Sequence, residues 1–198
     1  MPRLPRAKAL ILAAARDIVE RDGAGALTFE ELSRVSGVTR GGITYHFPTK
    51  DALLQGLLEH DMQQWKESEA ACTPSNLPCP KQCELIGFIR SHTSEDESRR
   101  RFVAGMLSAA VHQPDLLDGC REEIRQRYLG SDWNDTELRA HVLRLAAVGL
   151  FWDEIFQFQS MPPEVRRRFT GLLEQLAREW VPAAGDPEPD TEQDKKRK

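Results

Sequence analysis

Apolar residues recur along this chain at the three- and four-residue intervals of an α-helix, and no segment alternates with period two for long enough to make a strand. Over residues 6–21, Leu10, Ile11, Ala14, Ala15, Ile18 and Val19 fall on one face, and Asp22-Gly23-Ala24-Gly25 ends the run. A shorter pattern over 28–36 presents Phe29, Leu32 and Val35 and stops at Gly37, a residue that reaches positive φ without a Cβ penalty. Val38 then fills the corner and Thr39 suits an N-cap. The short helix that follows turns Ile43 and Phe47, spaced i and i+4, to the interior. Pro48 stops it, and Thr49 caps a long helix over 50–71 with Leu53, Leu54, Leu57, Leu58, Met62 and Trp65 inward.

Residues 72–81, CTPSNLPCPK, break the pattern with three prolines in ten positions. Beyond them the periodicity predicts helices over 82–92, 95–112, 114–128, 135–159 and 163–181. The penultimate helix carries two apolar stripes: Leu138, Val142, Leu145, Gly149, Trp152 and Phe156 on one side, and Leu143, Ala147, Leu150 and Phe158 on another. The last repeats the doubling with Phe169, Leu172, Leu173, Leu176 and Trp180. A helix apolar on two sides is buried on two sides, so one surface serves the chain's own core and the other needs a partner. The chain therefore reads as all-α: a three-helix head over 1–50, a helical body over 51–182 that opens with the long helix 51–71, and a polar tail over 183–198 expected to be disordered.

Composition adds an asymmetry. The formal net charge of −4 divides unevenly, because residues 1–50 hold eight Lys or Arg against five acids, leaving 19 basic and 26 acidic residues in the remainder. A basic head on an acidic body suits phosphate contact, although the local excess is small. Arg3, Arg6 and Lys8 form a flexible basic arm that touches phosphate, enters a minor groove or stays solvated, and the terminal KKRK reads mainly as solvated. No run of eighteen apolar residues and no signal peptide occur in the sequence, so a cytoplasmic, membrane-free protein with reduced thiols is expected.

The chemistry concentrates in residues 28–50. The second helix of the head leaves Thr39, Arg40, Gly41, Gly42, Thr44, Tyr45 and His46 outward, a hydroxyl-rich, small-residue face behind a glycine turn, as a major-groove reader requires. An ordinary helical hairpin with a solvated face is the alternative. Thr28, Leu32, Ser36-Gly37-Val38-Thr39, Gly41, Ile43, Tyr45-His46-Phe47, Lys50-Asp51 and Leu53 follow one another without a gap. This pattern resembles the N-terminal domain of the TetR family of bacterial transcriptional regulators. Ser33 and Ser36 stand where the family usually has Ala, and Thr44 where a phosphate-touching Tyr is common, so that contact is shorter here or lost.

The resemblance implies a homodimer paired through its last two helices, with the helix 51–71 as the lever that sets the spacing of two heads on a palindromic operator of double-stranded DNA. In this reading Arg40 contacts a base, guanine being its usual partner. Gly41 and Gly42 let the backbone approach, and Thr28, Thr39, Thr44, Tyr45, His46 and Lys50 hold phosphates. The resemblance also implies a small-molecule inducer of unnamed identity. Phe88, Phe102, Met106, His112, Trp133, Trp152, Asp153, Glu154 and Phe156 are the candidates to line its cavity, with Tyr128 and Phe151 nearby in sequence; each is also a plausible core residue. Two adjacent acids inside an aromatic run suit a lipophilic cation if one carboxylate turns inward, and make an ordinary polar edge if both turn out.

Cys79 and Cys83, with Cys72 close by, offer a rival trigger of redox or soft-metal type, although no His neighbours them and the spacing is wider than CxxC. No phosphate loop, HExxH or GxSxG occurs, so neither an enzyme nor a cofactor is indicated. The remaining alternatives are a DNA-binding regulator without an inducer and a helical adaptor that uses its head for protein contact.

Overall fold

A computed structural model describes residues 6–159 and 161–181. Arg3, Ser160 and the tail expected over 183–198, including KKRK, lie outside the described residues. Within them the chain forms helices and no strand: α1 (Arg6–Asp22), α2 (Phe29–Ser36), α3 (Arg40–His46), α4 (Lys50–Cys72), α5 (Pro80–His92), α6 (Glu97–His112), α7 (Asp118–Arg127), α8 (Asp135–Phe156) and α9 (Pro163–Trp180). None of these helices is long and apolar enough to cross a membrane.

The ends of the helices follow from local chemistry. Thr28 Oγ1 accepts from Glu31 N at 3.2 Å, Thr39 Oγ1 from Gly42 N at 3.2 Å and Thr49 Oγ1 from Ala52 N at 3.1 Å, so α2, α3 and α4 each start on a threonine cap. Asp96 and Asn134 cap α6 and α8 in the same way. Pro80 and Pro163 open α5 and α9, where a missing N–H costs nothing. The helix expected over 114–128 is broken: Pro114–Leu117 winds as a 3-10 turn and α7 begins at Asp118. Gln157 in the left-handed conformation ends α8 before its predicted limit.

Two compact units form, Met1–Trp65 with Asp96–Leu129 and Lys66–Glu95 with Gly130–Lys198, as far as these spans are described. In the first, Ile11, Ala15, Ile18, Leu32, Ile43, Leu53, Leu57 and Phe102 are buried together. Compactness thus groups α6 and α7 with the head, a partition that order along the chain does not reveal. Gly105 is what permits it. A Cβ built there would lie 2.3 Å from Val19 O, so α6 lies against the α1 backbone at a distance only glycine allows. A charged network ties α1 to α4: Arg16 donates to Asp61 at 2.7 Å, Glu20 at 2.8 Å and Gln64 at 3.2 Å, and its guanidinium lies over the Phe102 ring. Asp61 is buried and its charge is met by the Arg16 guanidinium, as a buried carboxylate requires.

In the second unit, Leu85, Ile86, Ile89, Leu143, Ala147, Leu173 and Ala177 join α5, α8 and α9 around one core. Gln82 Nε2 donates to the carbonyls of Arg178 and Val181, closing the open C-terminus of α9. Arg90 clamps α5 to α9 through two 2.8 Å bonds to Glu174.

Candidate nucleic-acid interface

The head is assembled from α2, α3 and the turn between them. Gly37 adopts φ 67°, and its N–H returns to Ser33 O. Ser33 Oγ donates to Val38 O at 2.7 Å, and Ser36 Oγ accepts from Val38 N at 3.2 Å. The two serines that replace the usual alanines therefore bind the turn, a use that packing size alone does not suggest. Ile43 and Phe47 are buried as the pattern requires, and Lys8 Nζ lies 5.6 Å from the centre of the Phe47 ring.

This seating leaves a defined outer face. Thr39, Arg40, Gly41, Tyr45 and Lys50 are exposed, Tyr45 to 83%, and Gly42, Thr44 and His46 are half-buried. Gly41 and Gly42 differ in why they are glycine. A Cβ at Gly42 would meet Val38 Cγ1 at 2.9 Å, whereas one at Gly41 would meet nothing within 4 Å. The bareness of Gly41 is therefore not demanded by the fold. The Thr44 hydroxyl turns back onto Arg40 O at 3.1 Å and Gly41 O at 3.2 Å. Lys50 Nζ donates to Gly25 O at 3.3 Å, and Tyr45 and His46 meet edge to face at 5.1 Å.

Two acids that sequence reasoning passed over organise the cations. Glu30 pairs with the Arg40 guanidinium. Glu31 accepts from Arg34 at 2.6 Å and from Arg21 at 3.2 Å. Hydrogen bonds from Arg34 hold the Glu31 carboxyl below its ordinary range. Glu30 stands ten residues before Arg40, so only the folded turn brings them together. The signal that could have found both was their place in the first turn of α2, where the helix dipole favours acids.

The candidate ligand residues are dispersed. Phe102 and Met106 lie in the core of the first unit with Ile11 and Ile18, and His112 is exposed with Nδ1 2.7 Å from Ser108 O. In the second unit Phe88 is buried and stacks on His92 at 3.8 Å. Trp133 meets His141 edge to face. Trp152 stacks on Phe156 at 5.9 Å, with Phe156 half exposed. Asp153 is half-buried, while Glu154 is bonded to Arg166, so Glu154 enters any site as half of an ion pair. Tyr128 is half-buried and Phe151 buried. Cys79 and Cys83 are buried cysteines, with Cys83 Sγ 3.8 Å from Leu77 O. Among the described residues no group of three or more His, Cys, Asp or Glu is placed to hold a metal.

A glycine-turned helix pair capped by threonine, heading an all-helical chain, defines a helix-turn-helix regulator of the TetR type. Residues 11–57 match the family model described as bacterial regulatory proteins, tetR family, and residues 84–178 match the tetracyclin repressor-like C-terminal domain. The chain belongs to the TetR family of DNA-binding transcriptional regulators. Solved structures of the same fold include a transcriptional regulator from Rhodococcus sp. Rha1 (21% identity, 87% of this chain and 96% of that one, TM-score 0.67). A TetR-family member from Streptomyces coelicolor A3 is similar (20%, 87% and 98%, TM-score 0.66). So is the multidrug binding protein EbrR complexed with ethidium (19%, 88% and 99%, TM-score 0.62). Comparison with curated protein sequences gives no match.

Proposed function

We propose that this regulator is a dimeric repressor that reads a palindromic operator through α3 and is released from it by a small molecule. The observation that carries the reading is the outer face of α3, where exposed Arg40, bare Gly41 and exposed Tyr45 surround a helix start seated on buried Ile43. Arg40 supplies the base contact near the helix start, and Gly41 leaves room for backbone approach or a thymine methyl. Thr28, Thr39, Tyr45, His46 and Lys50 contact phosphates. Thr44, its hydroxyl turned inward, contributes through its methyl side unless it rotates.

The dimer reading draws on α8 and α9. Leu138, Val142, Leu145 and Phe156 are 47%, 53%, 56% and 50% exposed and follow one another at three- and four-residue steps through Gly149 and Trp152; Val165 and Leu172 extend the apolar surface on α9. An apolar stripe of that length on one face of a helix marks an association surface. For the inducer, the aromatic Phe151, Trp152 and Phe156 beside half-buried Asp153 support a lipophilic cation, and a fold neighbour holds ethidium, an aromatic cation. A ligand that binds the DNA-incompetent state better must itself be weakened by operator.

Fluorescence anisotropy on a duplex selected by the protein from random sequence tests the reading. Affinity is expected to fall steeply with salt, with two protomers per duplex, and aromatic cations are expected to release it. Salt-independent binding would point to the adaptor alternative; salt-dependent binding indifferent to every ligand would leave a regulator without an inducer.

A further inference from the structure

We propose that the groove between α5 and α9 binds a small oxyanion carrying two or more negative charges, a site separate from the DNA-reading face and independent of that reading. The groove has a volume of about 400 Å³ and is walled by Arg90, Arg166, Arg167, Thr170, Glu174 and Arg178 among others. Four arginines thus line the groove with one lining carboxylate, Glu174, and Arg166 has two more, Glu154 and Glu95, behind it. The lining carboxylate is already shared, for Glu174 accepts from Arg90 at 2.8 Å and from Arg178 at 3.0 Å. Arg166, buried at the floor, is held by Glu154 and by Ser94 O at 3.0 Å and lies 3.5 Å from Glu95. Arg167 makes no hydrogen bond or ion pair with any described residue.

The donor arithmetic leaves a surplus. Each guanidinium offers five N–H donors in a planar fork that matches phosphate and carboxylate oxygens. Arg90 spends Nε and Nη2 on Glu174 and Nη1 on Cys72 O, Arg166 is taken up by Glu154 and Ser94 O, Arg178 spends Nη2 on Glu174, and Arg167 spends none on any described residue. The Thr170 hydroxyl stands on the same wall. This cationic groove occurs in the part of the chain where acids outnumber bases 26 to 19, so it is not a by-product of composition. Thr170 and Glu174 lie two residues either side of Leu172, about 200° around α9, so the groove faces away from the exposed Leu172 edge and stays open if that edge is covered.

Isothermal titration of the full chain with pyrophosphate and with citrate, at constant ionic strength in chloride, tests this. One saturable event per chain is expected for at least one probe, and a preference between them separates phosphate from carboxylate chemistry. Arg167→Ala should weaken binding about tenfold, the loss of a charge-assisted contact. Arg167→Glu should abolish it, and Glu174→Gln, which removes the negative charge that Arg90 and Arg178 share, should tighten it. Thermal melts of each variant show that the fold is retained; Arg167 is exposed and pairs with no described residue, so its variants should melt with the parent. Heats no larger than those of added chloride, or binding indifferent to Arg167→Glu, would overturn the proposal. Equal weakening of duplex DNA binding by Arg167→Glu would also overturn it, by making the groove part of a DNA contact.

Discussion

Arg40 shows what a residue's neighbours decide. Its reach and charge were legible in the sequence, and so was its place at the start of a capped helix. Its pairing with Glu30 was not, because an acid ten residues away becomes a neighbour only once Gly37 has reversed the chain. The pair is exposed on both sides, so it contributes about 0–1 kcal/mol and is readily exchanged for a better acceptor. Arg40→Ala is expected to flatten sequence preference at one base pair of each half-site by about 1–3 kcal/mol, measured with single-substitution operator variants. Lys50→Ala should weaken every duplex alike. An unchanged preference in the Arg40 variant would assign base reading elsewhere on α3. Buried Ile43 and Phe47 needed no such context, since their spacing alone set which side of α3 faces inward.

Among the elements, boundaries set by caps and prolines were readable, and the joins between elements were not. Thr28, Thr39, Thr49 and Pro163 stand where helices begin, and each acts within a turn of its own position, whereas Pro80, read as part of the break over 72–81, opens α5 two residues before its expected start. The clamp between α5 and α9 joins residues 84 positions apart, and no local signal announces it. Its chemistry gives a pH dependence. Hydrogen bonds from Arg90, and then Arg178, hold the Glu174 carboxyl below its ordinary range against the opposing effect of burial. A carboxyl depressed in the folded state stabilises above its unfolded pKa, and that stability is lost as pH falls through the folded value. The melting temperature is therefore expected to drop on acidification from about pH 5 to pH 3, and Glu174→Gln should flatten that part of the curve. A Gln variant with an unaltered acid limb would remove the clamp from the account.

For the molecule as a whole, the helical head and the apolar stripe of α8 were visible in the sequence, because both rest on periodicity, and that stripe stands exposed on the chain. The grouping of α6 and α7 with the head was hidden, for it depends on Gly105 admitting the Val19 carbonyl. The ligand residues were the least legible. Aromatic side chains serve a core and a cavity equally well, and Phe102 and Met106 turn out to be core partners of Ile11 and Ile18. At this scale the decisive variant is Leu145→Asp, which puts a charge in the middle of the exposed α8 stripe. If the proposed dimer pairs through α8, sedimentation should show the assembled mass halved with helicity intact, and affinity for a palindrome falling to that for a half-site. A variant that remains associated would move the interface off α8.

In the proposed dimer the Arg40–Glu30 pair occurs twice, and this shapes how the protein searches as well as how it binds. If Arg40 reads a base as proposed, each arginine rests on its own acid while phosphate contacts hold the heads on random duplex, and no base edge then slows one-dimensional travel. Only a base pair presenting two acceptors offers the guanidinium more than Glu30 does. On that proposal the acid keeps the protein moving until both halves of the right site can take over from it at once.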